Sequence, residues 1–395
     1  MIDRIDRPGS EFHSTAERFG ELLAEKLKSD RDFYFFSPDE TNSNRLGAVY
    51  EASERAWNLR KEKWDLPESA DGHIIELLSE NTLFATMLGH IHSGGPAVMA
   101  SYEAFYNIIT SQVVQELKFL AQSDAVSFRA PVPAINLLST STCWRQDHNG
   151  YSHQSPLLIS TLLSTPGSHA NCLFPVDDVS ADAAWDYMQN SKNVVNLTTF
   201  NKSLEPRWID SHHATFQYNN GGVSVYQFAS DDKPDVIFTA AGDLVTKEAL
   251  YAIKILKSDL PELKIRFVGI AALSYHHIGT TDNPLSQSTF DQYFDKKLPI
   301  IANFQGYPDA LENILGQYAD KSRLSVHGYE EHGSTTTPFE MLSLNHASRY
   351  DLALDVAKRL KKEQLVKSYS RIIKVNHAYA EKFSKDLEPI TEFGW

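Results

Sequence analysis

The segment 144–156, WRQDHNGYSHQSP, is dense in side chains that bind anions or move protons. Two histidines, two glutamines, an asparagine, an aspartate and an arginine surround one glycine. Imidazole exchanges protons near neutral pH, and amide, hydroxyl and guanidinium groups bind oxyanions. The preceding apolar run, AINLLSTSTC, is typical of a buried strand. We therefore expect a loop at the end of a strand whose side chains are available to a ligand.

Three further polar residues follow runs that resemble strands. Glu80 ends HIIELLSE, Tyr102 follows AVMAS, and Lys202 follows VVNLTTF. A single polar residue at a strand end is usually only exposed to water. In open parallel sheets, however, ligands bind outside the carboxyl ends of the strands. Four coincident features therefore favour one site at the edge of one sheet.

Short β-branched or aromatic runs alternate with stretches of helical period, which predicts an α/β fold with open, mostly parallel sheets. The predicted strands are DFYFFSP, HIIELLS, AVMAS, PAINLLSTS, ANCLFPV, VVNLTTF, DVIFTAAG, KIRFVGIAAL and KLPIIANFQ. A helix is predicted from Tyr102 to about Gln122. Turn signals interrupt the pattern in the polar stretch 211–235. We predict two domains, residues 1–215 and 230–395, joined by a linker at 216–229.

Composition restricts the possible partners. The 395 residues carry a net charge of -14 and no cluster of Lys and Arg, which argues against nucleic acid. Cys143 and Cys172 are the two cysteines, so a disulfide framework is not expected. Neither a signal-peptide pattern nor a long apolar run is found. We expect a cytoplasmic protein without a membrane partner.

Segments in the same order along nearly the whole chain resemble the thiamine-diphosphate-dependent phosphoketolases of the xylulose-5-phosphate/fructose-6-phosphate family. They are SNRLGAVYEA, LLSENT, ASYEAFYNI, WRQDHNGYSHQ, NKSLEPRW, DVIFTAAGDLVTKEAL, FQGYP and HGYEEHGSTTTPFEM. The run WRQDHNG followed by SHQ is a specific signal. The resemblance is to the second half of such an enzyme. It implies a transketolase-like pyrimidine-binding domain followed by a transketolase-like C-terminal domain.

The resemblance implies that two residues contact the cofactor, thiamine diphosphate. Glu80 matches the glutamate that hydrogen-bonds the aminopyrimidine ring and favours the tautomer whose nitrogen removes the thiazolium C2 proton. Phe105 matches the aromatic residue that packs on this ring. An exposed loop glutamate and ordinary core packing are the respective alternatives.

The resemblance also implies a substrate site. Tyr102 and Asn149 match residues that position inorganic phosphate, and His153 and Gln146 match groups that contact the reacting hydroxyls. The residues that match the shell around a sugar phosphate are Ser43, Arg45, His148 and Lys202. Arg and Lys form charge-assisted bonds with phosphate. The predicted catalytic residues are therefore Glu80, His153 and Gln146.

The motif that binds the cofactor diphosphate and Mg²⁺ in this superfamily, Gly-Asp-Gly followed by an asparagine, is not found. Gly242-Asp243-Leu244 is the nearest run, and an Asp near a helix N-terminus explains it better. We therefore predict no metal site here and expect the Mg²⁺ ligands on a partner chain, in a heterotetramer. Ser155 and Asn201 depart from the family pattern, which usually has Asp and Gly there.

Three functions remain open. The first is a subunit of a split phosphoketolase that cleaves a ketose phosphate and transfers the two-carbon unit to phosphate, as acetyl phosphate. The second is a transketolase-like transfer of that unit to another acceptor. The third is a non-catalytic scaffold subunit, which the reactive set around Glu80 and His153 disfavours.

Overall fold

A computed structural model describes residues 2, 4–387 and 395, and short strands alternate with helices along this part of the chain. The strands are β1 (Phe12–His13), β2 (Tyr34–Ser37), β3 (Arg55–Ala56), β4 (Glu68–Ser69), β5 (Ile74–Glu76), β6 (Ala97–Tyr102), β7 (Ile135–Thr140), β8 (Ala170–Leu173), β9 (Val195–Thr199), β10 (Glu205–Pro206), β11 (Val223–Val225), β12 (Val236–Ala241), β13 (Ile265–Ile270), β14 (Ala272–Ser274), β15 (His277–Ile278), β16 (Ile300–Phe304) and β17 (Leu324–His327). The helices are α1 (Thr15–Ser29), α2 (Glu80–His92), α3 (Thr110–Asp124), α4 (Leu157–Ser164), α5 (Asp178–Asn190), α6 (Ser211–Asn219), α7 (Asp243–Asp259), α8 (Gln287–Phe294), α9 (Pro308–Leu315), α10 (Pro338–Leu344), α11 (Arg349–Arg359) and α12 (Glu363–Phe383).

Two sheets organise the molecule. The first has the strand order β15-β14-β8-β9-β7-β6-β2-β5-β3-β4, and its neighbours from β8 to β4 are all parallel. The second has the order β11-β13-β12-β16-β17, with β11 as its antiparallel edge strand. The predicted α/β class with open, mostly parallel sheets is confirmed.

Local sequence explains how these elements form. All six residues of β7, INLLST, are buried, as expected for a strand covered on both faces. Helix α1 begins after Ser14, whose hydroxyl accepts a hydrogen bond from the Glu17 N–H. Its residues Phe19, Leu23 and Leu27 recur at helical spacing and are buried. In the described part of the chain, no helix combines the length and hydropathy needed to cross a membrane.

Helix α7 is an unusually buried helix of the second half. It packs against α11, β12 and β10. Lys247 of α7 forms an ion pair with Glu205 at 2.6 Å, and Glu248 forms one with Arg349 at 2.6 Å. Buried charges are tolerated when they are paired and hydrogen-bonded in this way.

The structure differs from the sequence-based expectation in three places. The run KIRFVGIAAL divides at Ala271 into β13 and β14, and β14 leaves the second sheet to pair antiparallel with β8. An uninterrupted apolar run carries no signal for such a division. The helix expected from Tyr102 is a 3-10 helix at Glu103–Ile109 followed by α3. Residues 216–229, predicted as a linker, include the end of α6 and strand β11. The domain boundary itself stays a prediction.

Candidate active site

Five adjacent parallel strands of the first sheet end at one edge, and the loops beyond them carry the predicted site residues. In sheet order these strands are β9, β7, β6, β2 and β5. The residues that follow or end them are Lys202 after β9, the 144–156 loop after β7, Tyr102 in β6, Ser43 after β2 and Glu80 after β5. Parallel strands share the direction of their carboxyl ends, so their loops meet at this edge.

Tyr102 is the centre of an aromatic and cationic cluster. Its ring stacks on Phe105 with 5.5 Å between centroids, and its hydroxyl donates to Ser43 Oγ at 3.1 Å. The Lys202 ammonium lies 4.8 Å from the centroid of the Tyr102 ring. The His153 ring centroid lies 5.1 Å from that of Phe105 and 6.1 Å from that of Tyr102. The structure therefore brings five of the predicted residues into one cluster.

The loop after β7 is built around the buried side chain of Gln146. Gln146 is 0% exposed, and its Oε1 accepts a hydrogen bond from Asn149 Nδ2 at 2.6 Å. Its backbone carbonyl accepts one from Gln154 Nε2 at 2.8 Å. The Gln146 Nε2 atom is buried without a hydrogen-bond partner among the described residues. An unsatisfied buried donor is unusual in a folded protein and is the kind of group that a ligand satisfies.

The two histidines of this loop differ in exposure. His148 is exposed, whereas His153 is partly buried and its Nδ1 is 2.8 Å from Ser152 Oγ. Burial lowers the pKa of His153, and the neighbouring His148 and Lys202 lower it further. These effects favour the neutral imidazole of His153, the form that can accept a proton.

Glu80 is the first residue of α2, after the N-cap Ser79. Its neighbour Asn81 donates from Nδ2 to the Ile108 carbonyl at 3.2 Å, which ties the start of α2 to the 3-10 helix that carries Phe105. The helix N-terminus favours a carboxylate at this position. Within the described part of the chain, the Glu80 carboxyl group makes no hydrogen bond or ion pair. It is available to a ligand.

Arg45 lies outside this cluster and is paired with a residue that the sequence analysis did not select. Its guanidinium is exposed and donates from Nη1 to Glu17 Oε1 of α1 at 2.7 Å. Its backbone is left-handed, with φ of 60°, which is uncommon outside glycine and asparagine. Its assignment to a sugar phosphate stays a prediction.

Residues of the second half hold the 144–156 loop in place. Trp144 donates from Nε1 to the Gln305 carbonyl at 3.0 Å, and Gln154 donates from Nε2 to the Ser334 carbonyl at 2.8 Å. The Tyr329 hydroxyl donates to Gln154 Oε1 at 3.3 Å. Each contact joins residues more than a hundred positions apart in sequence. The hydrophobic periodicity of the sequence therefore gives no signal for these contacts.

Glu103 also connects the start of the loop after β7 with the second half of the chain. One carboxyl oxygen accepts from the Cys143 N–H at 2.6 Å, and the other accepts from Gln305 Nε2 at 3.0 Å. Burial raises the pKa of Glu103 to about 7, against these hydrogen bonds. The start of the reactive loop is thus fixed by a buried carboxyl group and by the second sheet.

Sequence reasoning missed Glu40, which lies in the loop after β2. Burial raises the pKa of Glu40 to about 7, and the nearby Glu80 and Asp39 raise it further. The nearby Tyr102 backbone and the charge of Lys202 oppose these effects. Its Oε2 atom is buried without a partner among the described residues. The same rule that selected Glu80, a polar residue beyond a strand end, could have found it in SPDETNS.

Gly242-Asp243-Leu244 lies at the start of α7 and has structural partners. Asp243 Oδ2 accepts from the Asn201 N–H at 2.7 Å, and Oδ1 accepts from the Leu244 N–H at 2.7 Å. Asp243 thereby holds the backbone just before Lys202. Across the described residues, no group of three or more His, Cys, Asp or Glu side chains is placed to hold a metal ion.

Family comparisons cover nearly the whole chain. Residues 17–190 match the family model described as "D-xylulose 5-phosphate/D-fructose 6-phosphate phosphoketolase", and residues 202–395 match "XFP C-terminal domain". A "Probable phosphoketolase" of Thermosynechococcus vestitus is 34% identical over 99% of this chain and 50% of its own length. One of Nitrosospira multiformis is 33% identical over 98% of this chain and 49% of its own. The chain spans about half the length of the curated relatives it matches.

Solved structures show the fold. A transketolase from Pichia stipitis superposes with a TM-score of 0.69 at 15% identity, covering 92% of this chain and 47% of that one. A "Split gene transketolase, inactive beta4 tetramer" superposes with a TM-score of 0.59 at 15% identity, covering 88% of this chain and 98% of that one. The fold is transketolase-like. The chain belongs to the D-xylulose 5-phosphate/D-fructose 6-phosphate phosphoketolase family.

Proposed function

We propose that this chain supplies the pyrimidine half and the phosphate-binding residues of a thiamine-diphosphate-dependent phosphoketolase site. The observation that carries the proposal is the unpaired Glu80 carboxyl group, held by Asn81 beside the 3-10 helix that carries Phe105. Family membership supports the same chemistry.

The described residues fit this half of the cofactor. Glu80 offers a free carboxylate to a ring nitrogen, Phe105 offers an aromatic face, and Gln146 Nε2 is a buried donor without a partner. Thiamine diphosphate, when bound, supplies the electron sink for breaking the carbon–carbon bond beside a ketose carbonyl. No group of metal ligands is found among the described residues, so Mg²⁺ and the diphosphate would be held elsewhere.

The remaining side chains suit the substrates. Tyr102 and Asn149 would position inorganic phosphate, and the neutral His153 would exchange protons with the reacting hydroxyls. The residues proposed for the sugar phosphate are Ser43, His148, Lys202 and, after release from Glu17, Arg45. The reaction would convert a ketose phosphate and inorganic phosphate into acetyl phosphate, an aldose phosphate two carbons shorter, and water.

We propose further that a separate polypeptide carries the diphosphate-binding domain, in a heterotetramer. We call the edge at which β9, β7, β6, β2 and β5 end, with the loops beyond it, the strand-end site. Apolar side chains around this site are exposed, and we expect the partner to cover them. They are Leu77 at 38%, Leu78 at 84%, Ile108 at 47%, Tyr151 at 57% and Leu157 at 42%. The superposition on a split-gene transketolase subunit over 98% of its length supports this division.

Transfer of the two-carbon unit to a different acceptor is the second candidate. Ser155 stands where the family usually has an aspartate, and its Oγ accepts from Asn107 Nδ2 at 2.9 Å beside the cluster. A hydroxyl in place of a carboxylate changes the charge next to the acceptor position.

Reconstitution with a polypeptide that carries the Gly-Asp-Gly motif tests the proposal. We expect weak thiamine diphosphate binding by this chain alone, because charge-assisted contacts to the diphosphate and Mg²⁺ normally supply most of the affinity. The complex should bind it tightly and form acetyl phosphate from a ketose phosphate and phosphate. Tight Mg²⁺-dependent binding by the isolated chain would contradict the divided site. A phosphate-independent transfer to an aldose phosphate would favour the second candidate.

A further inference from the structure

Glu40 lies in the same loop as Ser43, whose hydroxyl contacts Tyr102 in the cluster of proposed anion-binding side chains. Its backbone carbonyl accepts a hydrogen bond from Ser43 Oγ at 2.9 Å, and Ser43 Oγ in turn accepts from the Tyr102 hydroxyl. The Glu40 carboxyl group lies close enough to the Tyr102 backbone and to the Lys202 ammonium for both to lower its pKa. Its Oε2 is buried without a hydrogen-bond partner among the described residues, a setting that disfavours the ionised form.

The charges near Lys202 do not favour the binding of an anion while the carboxyl groups of Glu40 and Glu80 are both ionised. The titratable or charged groups that face Glu40 are Asp39 on its own loop, Glu80 at the start of α2, Lys202 beyond β9 and Tyr106 in the 3-10 helix. Lys202 is the cation of the cluster and makes no ion pair among the described residues, whereas Arg45, outside the cluster, is paired with Glu17. One cation against two partly buried carboxylates, Glu40 and Glu80, repels an incoming phosphate.

We infer that Glu40 sets the anion affinity of the strand-end site by its charge: the site binds a phosphate-like oxyanion when Glu40 is neutral and releases it when Glu40 ionises. This inference rests on the proposed phosphate-binding function. Anion binding would therefore be coupled to proton uptake by Glu40. By linkage, a bound anion raises the pKa of Glu40, and ionisation of Glu40 weakens the anion by the same factor.

The size of the effect follows from the fraction of neutral Glu40. Burial raises the pKa of this group to about 7, so most of it is neutral one pH unit below that value and most is ionised one unit above. If only the neutral form binds, apparent affinity falls about tenfold across those two units. Glu40→Gln keeps the size and removes the charge, so the variant should lack this component of the pH dependence.

The test uses the full chain with glutamate labelled by ¹³C at the side-chain carboxyl carbon. NMR titration follows the Glu40 resonance, which is identified by its loss in Glu40→Gln. Sulfate is the probe, because its charge does not change over this range, whereas inorganic phosphate itself titrates. Sulfate affinity is measured in parallel by calorimetry at about pH 6 and about pH 8, where the neutral fraction of Glu40 differs about tenfold. Glu51→Gln is the control, since Glu51 is exposed and is not among the groups that face Glu40.

We expect a Glu40 midpoint near neutral pH that rises when sulfate is added. The wild type should lose about tenfold more sulfate affinity with pH than Glu40→Gln, while Glu51→Gln behaves as the wild type. A midpoint in the ordinary range of glutamate, or one that sulfate leaves unchanged, would overturn the inference. Equal pH dependence in wild type and Glu40→Gln would overturn it as well. These readings need no cofactor, so a reconstituted complex that fails to form acetyl phosphate would refute the proposed function separately.

Discussion

Glu248 in α7 and Glu40 beyond β2 are both carboxyl groups removed from water, yet their surroundings differ. Glu248 is 1% exposed and accepts three hydrogen bonds from Arg349, at 2.9, 2.8 and 2.6 Å. Burial raises its pKa, but Arg349 outweighs burial and the net pKa of Glu248 is lowered. Glu40 has Lys202 only at a distance, and its pKa is raised to about 7. A buried carboxylate whose oxygens are all paired, such as Glu248, stabilises one arrangement of the chain. A buried carboxyl group with an unpaired oxygen, such as Glu40, remains able to respond to a ligand.

The same contrast extends to the two parts of the molecule. Around α7, buried polar groups bind each other across elements, as in the pairs Lys247–Glu205 and Glu248–Arg349. At the strand-end site, Gln146 Nε2 and Glu40 Oε2 are buried without partners among the described residues. Apolar side chains such as Leu78 also remain exposed there. The ion pairs around α7 indicate a structural role for that region, whereas the unpaired groups and exposed apolar side chains of the strand-end site favour contact with a ligand and a covering surface.

The largest effect on the free energy of unfolding is expected from breaking the buried Glu248–Arg349 ion pair. Arg349→Ala leaves the Glu248 carboxylate buried and unpaired, which should lower the free energy of unfolding by about 3 to 5 kcal/mol. Equilibrium urea denaturation measures this change. Lys26→Ala, at the partly exposed Lys26–Asp30 ion pair, is the control and should lower it by less than about 1 kcal/mol.

A combined Glu248→Leu and Arg349→Met variant should recover part of the lost stability, because it removes both charges together. Equal losses of unfolding free energy in Arg349→Ala and Lys26→Ala would show that the buried Glu248–Arg349 pair does not stabilise the fold more than an exposed ion pair does.

A smaller effect is expected at the phosphate shell, and it separates Lys202 from Arg45. In the reconstituted complex, Lys202→Ala should lower the specificity constant for a phosphorylated sugar about tenfold to a hundredfold, as expected for one charge-assisted hydrogen bond. Arg45→Ala should have less effect, since Arg45 must first leave Glu17.

Steady-state kinetics of the two variants and of Glu17→Gln give this comparison. Glu17→Gln frees Arg45 and should leave the specificity constant unchanged or raise it. A larger effect of Arg45→Ala than of Lys202→Ala would show that Arg45 reorients toward the substrate. The phosphate shell would then include Arg45 in addition to the cluster around Tyr102.

The sequence predicted β2, β5, β6, β7, β8 and β9 of the first sheet and the edge at which they end, but not its two-residue strands β3, β4 and β15. Runs such as AVMAS and INLLST are apolar and β-branched, and polar residues follow them directly. The same local signal missed β17, which has four residues, and the division of KIRFVGIAAL between two sheets. Both depend on pairing partners that are distant in sequence.

Site prediction from sequence had a similar limit. Residue types and family resemblance selected Tyr102, Phe105, His153 and Lys202, which the structure places in contact. The contacts of Arg45 with Glu17 and of Trp144 with Gln305 depend on side-chain direction and on long-range packing. No periodicity encodes such contacts, so only the structure identifies them.

We propose above all that Glu80 of this chain activates thiamine diphosphate held jointly with a partner. Proton–deuterium exchange at the cofactor C2 position, measured by NMR in the reconstituted complex, tests it most directly. Glu80→Gln preserves size and shape but removes the exchangeable carboxyl proton, and exchange should slow by about two orders of magnitude or more. Glu51→Gln, at an exposed glutamate, is the matched control and should exchange at the wild-type rate. Equally fast exchange in Glu80→Gln, from a complex that size-exclusion chromatography shows to be intact, would contradict the account.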